Sequence, residues 1–105
     1  MSAATPAPVE PADRIAAAVR AVPGVADLHP GMFGEVGTYL PGRRVAGVRI
    51  RGDVVEVHIS VVFNAAVRDT AAAVRSAVAA LVPGVSVDVI VEDVARSVPS
   101  DGAKI

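Results

Sequence analysis

The sequence predicts an α+β domain of two layers, a three- or four-stranded mixed sheet with two helices packed on one face. Three observations predict it. Two alanine-rich segments end on the same tetrapeptide, Val22-Pro23-Gly24-Val25 and Val82-Pro83-Gly84-Val85. Between them, Val45 to Phe63 reads as two alternating strands joined at Gly52-Asp53. After the second tetrapeptide the alternation resumes and runs to about Val94. Helical and strand periods in this order describe a helix, a hairpin, a second helix and a last strand.

The first helix spans Pro11 to Val22. Ile15, Ala18, Val19 and Val22 share one helical face. Pro11 suits the first turn, where no backbone donor is missed, and Asp13 complements the helix dipole. The following Val-Pro-Gly-Val stops the helix and starts a strand. Proline disfavours helical geometry in the residue before it, and glycine permits the left-handed turn. Val25–Leu28 is a fourth strand if it pairs.

The next stretch, His29–Arg44, resists assignment. It holds four glycines and two prolines, and is long for a structureless connection in a compact domain. Either a short helix lies near Gly34–Leu40 or the stretch is a functional loop.

The hairpin is the most legible part. Folding at Gly52-Asp53 sets Ile50 against Val55, Val48 against Val57 and Ala46 against Ile59 on one face. Arg49 then meets Glu56, Gly47 meets His58 and Val45 meets Ser60 on the other. The second helix covers Ala65–Val82, with a seam of Val67, Ala71, Val74, Val78 and Leu81 and with Asn64 as a suitable N-cap. In the last strand Val85, Val87, Val89 and Val91 point one way, and Ser86, Asp88 and Glu92 the other. Residues 11–96 are expected to form one domain, and residues 1–10 and 97–105 disordered tails.

Composition removes several functions. The chain has 105 residues and no cysteine, which excludes disulfides, thiolate metal sites and a cysteine nucleophile. A net charge of −1 gives no global attraction to nucleic acid or anionic lipid. Three aromatic residues are too few for a base-stacking platform. No uncharged apolar run approaches the ~20 residues of a spanning helix. The start, MSAATPAPVEP, lacks the basic and apolar parts of a secretory signal, so a cytoplasmic location is expected, with any membrane association made through a partner.

Candidate chemistry is sparse. Arg51-Gly52-Asp53 spells an adhesion tripeptide but coincides with the turn that the hairpin demands. Gly31-Met32-Phe33-Gly34 resembles the Gly-x-x-Gly clamp of KH domains, without the helices and basic residues around it. His29 and His58 lack metal-ligand spacing. His58 reads as an exposed-face strand residue. It shares that face with Ser60, but an open sheet face offers no pocket for catalysis. Arg43 and Arg44 follow a Pro-Gly turn and should be solvated. No catalytic residue, metal or cofactor is expected.

The stretch from Ile15 to Val94 resembles the alkaline shock protein family of bacteria, small cytosolic proteins associated with cell-envelope stress. The resemblance lies in a helix running into VPGVADL, a glycine-rich segment, VAGVRIRGDVVEVHISVVF, the helix NAAVRDTAAAVRSAVAAL, and VPGVSVDVIVEDV. It implies a non-catalytic, self-associating interaction protein linked to envelope homeostasis or stress response. The partners implied are further copies, a paralogue, or a small integral membrane anchor, without direct membrane insertion. Arg43, Arg44, Val45, Val54, Val62 and Ile90 are the candidate partner-binding residues. The alternative is a nucleic-acid-binding module using the Gly31–Gly34 loop and Arg43/Arg44.

Overall fold

The computed structural model describes residues 10–96; the two tail assignments otherwise lie outside them. Helix α1 (Pro11–Arg20) starts at Glu10, whose carbonyl accepts the N–H groups of Asp13 and Arg14. Glu10 thus belongs to the domain. Ala12, Ile15, Ala16 and Val19 form its buried stripe. At Gly24 the backbone has φ +96°, and an added methyl would collide with the Thr70 side chain. Glycine is therefore needed twice over, for the turn and for the approach of the second helix.

Strand β1 (Val25–Leu28) then pairs antiparallel with the C-terminal half of β5 (Val54–Val62). Strand β4 (Val48–Arg51) pairs antiparallel with the N-terminal half of β5. The two run in the same direction along one edge of β5. They are two pieces of one edge strand, interrupted by the excursion from His29 to Gly47. Helix α2 (Val67–Leu81) follows β5, and strand β6 (Ser86–Ala95) returns parallel along the other edge of β5. The main sheet is four-stranded and mixed, with α1 and α2 on one face.

The core is aliphatic. Ile15 and Val19 of α1, Val48 of β4, Val55, Val57, Ile59 and Val61 of β5, and Val74 and Val78 of α2 are all fully enclosed. The hairpin register is as expected, with Val48 opposite Val57, Arg49 opposite Glu56 and Ile50 opposite Val55. Gly52-Asp53 is the two-residue loop, and the Asp53 carbonyl also anchors the Ser86 N–H.

Three expectations need correction. The hairpin strand does not run back to Val45. Leu28 of β1 occupies the place opposite Ile59, so the chain must leave the edge at Gly47. Gly47 has φ +81°, and a Cβ there would sit 2.8 Å from Leu28 and 3.0 Å from the His58 carbonyl. Ala46 instead pairs with Gly37, and Val45 with Thr38, in a second sheet of β2 (Gly37–Leu40) and β3 (Arg43–Ala46). This hairpin, neither helix nor loop, is what His29–Arg44 contains. Asn64 is not an N-cap. It takes φ +75° in the turn after β5, and α2 begins past it, so Val67 is exposed and Thr70 joins Val74 and Val78 in the buried stripe.

Candidate functional site

Two features of the surface stand out. One is a polar cluster on the sheet face away from the helices. The other is the tip of the excursion.

The cluster centres on His58, in the middle of β5. It was expected to be exposed, but only 7% of it is. Its Nε2 lies 2.6 Å from Glu56 Oε2 and its Nδ1 2.5 Å from Glu92 Oε2. Strand alternation puts Glu56 and His58 on one face. Glu92 comes from β6, where the register shifts between Ile59 and Ser60, so that Ser60 pairs with Asp93. Glu92 is the extra residue of that bulge, a device that re-aims a side chain. Sequence alternation had Glu92 on the right face, but only the bulge brings it to the imidazole.

The imidazolium form donates to both carboxylates, whereas the neutral ring can donate to only one. Glu56 also receives a hydrogen bond from Arg51 at 3.1 Å, and Arg49 lies 3.7 Å away. The hydrogen bond from His58 holds the Glu56 carboxyl below its ordinary range, and the charges of His58, Arg49 and Arg51 reinforce this against the opposing effect of burial. With both ring nitrogens held, neither is free to take a proton from Ser60. Among the described residues no group of three acidic or histidine side chains is placed to hold a metal ion.

The tip is a hydrogen-bonded turn. Val36 N–H donates to the Pro30 carbonyl, Gly34 N–H to Gly31, Phe33 N–H to the Glu35 carboxylate, and Gly31 N–H to Nδ1 of His29. Val36 is buried beneath it, and its carbonyl accepts the Gly47 N–H. Yet Met32 is 78% exposed, Phe33 85% and Tyr39 74%. Arg44 links them. Its Nη2 donates to the carbonyls of Gly34 and Val36, and its guanidinium lies 5.3 Å over the Tyr39 ring. The Tyr39 ring and the 31–34 turn therefore flank one guanidinium.

The six partner-binding candidates scatter. Val45 is buried against the core, because the chain turns away at Gly47. Arg43 is not a free cation; its guanidinium grips the Asp13 carboxylate of α1 through two contacts of 2.6 Å. That hydrogen bond lowers the Asp13 pKa and raises that of Arg43. Arg44 is likewise turned inward onto backbone carbonyls. Val54, Ile90 and Val62 do lie on β5 and β6, with Ile90 opposite His58. Val54 and Val62 are eight residues apart on one strand, about 27 Å, with the charged cluster between them. They do not form one apolar patch. The Gly31–Gly34 loop joins two strands, not two helices, and presents Met32 and Phe33 with a carboxylate beside them.

Sequence reasoning missed Met32, Phe33 and Tyr39 as a group. A signal was available: two of the three aromatics of the chain, Phe33 and Tyr39, lie together with Met32 in the stretch that fitted no element. Among the described residues no helix is long and apolar enough to cross a membrane. In comparisons with known proteins, no family model, no curated protein and no solved structure matches this chain.

Proposed function

We propose that this chain is a non-catalytic, self-associating interaction module of the alkaline shock type, acting in cell-envelope homeostasis, with the excursion tip as its docking point for a protein partner. The observation that carries the reading is the exposure of Met32, Phe33 and Tyr39 on a backbone pinned by internal hydrogen bonds. A turn already fixed by hydrogen bonds loses little backbone entropy on docking, and aromatics and methionine are enriched at interface centres. Arg44 and Glu35 supply a polar rim. The inward engagement of Arg43 and Arg44 weakens the case for nucleic acid, which needs free cations facing phosphates.

The test is cross-linked co-purification from the host, with membrane and soluble fractions kept apart, using wild type and the Met32→Ser/Phe33→Ser variant. The expected result is a small integral membrane protein or a paralogue, recovered with wild type and lost with the variant. Equal recovery with both would remove the tip from the reading. Recovery of RNA alone would replace the reading with the nucleic-acid alternative.

A further inference from the structure

The outer edge of β6 carries no strand among the described residues. Its backbone orientation follows from one bond. The Ser86 N–H donates to Asp53 on the β5 side, and successive residues alternate edges. Val87, Val89 and Val91 therefore aim their N–H and C=O groups outward. Their side chains lie on the helix face and are only half-buried, while their β5 partners Val55, Val57 and Ile59 are fully enclosed. The two-layer core is left open along this side.

The edge is blunted at its ends and bare in the middle. Past Val91 the bulge at Glu92 bends it, and the Asp93 carboxylate takes the Val94 N–H. At the start, Arg75 Nε of α2 touches the Val87 carbonyl at 3.4 Å, the limit of a hydrogen bond. That contact also shows which flank of α2 overlooks the edge. Its neighbours one turn away on either side, Ala72 and Ala79, are small and exposed. No bulky side chain at these positions stands where a second layer would go. Soluble proteins ordinarily protect a β-branched edge, and here the protection reaches only the Val87 carbonyl and leaves Val89 and Val91 uncovered.

We propose that this window pairs antiparallel with the same window of a second copy, about a two-fold axis at Val89. The proposal rests on the reading of the chain as self-associating and names the surface. Among the registers centred in the middle of the window, Asp88, Val89 or Ile90, the charges select one. Centring on Asp88 sets Asp88 against itself, and centring on Ile90 sets Asp88 against Glu92 of the second copy. Both oppose like charges, which destabilises a strand pair. Centring on Val89 sets Val87 against Val91, Asp88 against Ile90 and Ser86 against Glu92. The valines then cover one another on the helix face, and the sheets join into one continuous layer under both pairs of helices. This isologous contact closes as a dimer.

Light scattering across a concentration series tests it. Wild type is expected to approach twice its 10.6 kDa mass. Val89→Pro removes an N–H that faces the free edge, which an edge strand tolerates, so it is expected to fold and stay monomeric. Because the chain has no cysteine, a mixture of Asp88→Cys and Ile90→Cys proteins reads the register directly. Opposed residues of this kind of pair have Cα atoms about 4.5 Å apart, within disulfide range. The mixed 88–90 disulfide is expected to exceed either homodimer. If Val89→Pro does not fold, the cysteine mixture decides alone. A wild type that stays monomeric overturns both this proposal and self-association, leaving the tip to its own test. A Val89→Pro protein that still dimerises, or homodisulfides in excess, overturns the edge while keeping self-association.

Discussion

Val57 in the middle of β5 and Phe33 at the excursion tip are both apolar, yet Val57 is fully enclosed and Phe33 is 85% exposed. Around Val57 the backbone ladders are backed by side-chain packing: β-branched residues from three strands and two helices fill one layer. The tip is held by backbone, through bonds among Pro30, Gly31, Gly34, Val36 and Gly47. A segment fixed by its backbone leaves its side chains free to face outward. This lets the chain keep large apolar groups off its core and still present them in a fixed place.

Breaking the core side of this comparison should have the largest effect. Val57→Asp places an unpaired charge among Val48, Val89 and the helices, and is expected to cost more than about 4 kcal/mol and abolish the cooperative melt. A melt like that of wild type would show that the sheet register is wrong. Gly47→Ala strikes the junction between the two regions. It combines a left-handed backbone with a Cβ crowded by Leu28 and the His58 carbonyl, for a loss of about 3 kcal/mol in urea unfolding. If the loss is only a few tenths, the excursion is not pinned at its base.

His58→Ala leaves Glu56 and Glu92 facing each other without the imidazole, and is expected to cost about 2 kcal/mol. The same cluster has a pH signature. The Glu56 pKa is depressed by folding, so its stabilisation is fully present above the ordinary value of 4.5 and is lost as pH falls through the lower folded value. Glu56→Gln should therefore flatten the acid limb of Tm against pH, leaving the other carboxylates to titrate. An unchanged limb would place the acid sensitivity elsewhere. The smallest effect belongs to the tip. Phe33→Ser should alter stability by no more than about 0.5 kcal/mol, because the residue is almost wholly exposed. A larger loss would mean that Phe33 supports the fold and is not reserved for a partner.

How much could be read from the chain depended on the distance between the partners involved. The register of β4 on β5 was legible because a two-residue loop fixes which residues face each other. The ends of α1 and α2 were legible because Pro-Gly acts on its immediate neighbours. Val45 was misplaced because Leu28, from another part of the chain, takes the site opposite Ile59. His58 was correctly placed on the outer face, but its burial was missed. The residue that completes its surroundings, Glu92, arrives from β6 through a bulge that alternation alone does not reveal.

The sequence by itself determined the α+β class, the two helices on one face of a mixed sheet, the tight hairpin and the valine core. Each of these follows from local periodicity and turn chemistry. Only the tertiary structure decided that β1 and β4 share one edge, that the stretch between them folds into its own hairpin, and that His58 is held between two carboxylates. Those outcomes rest on competition for the same backbone edge and on contacts between distant strands, which no local pattern encodes.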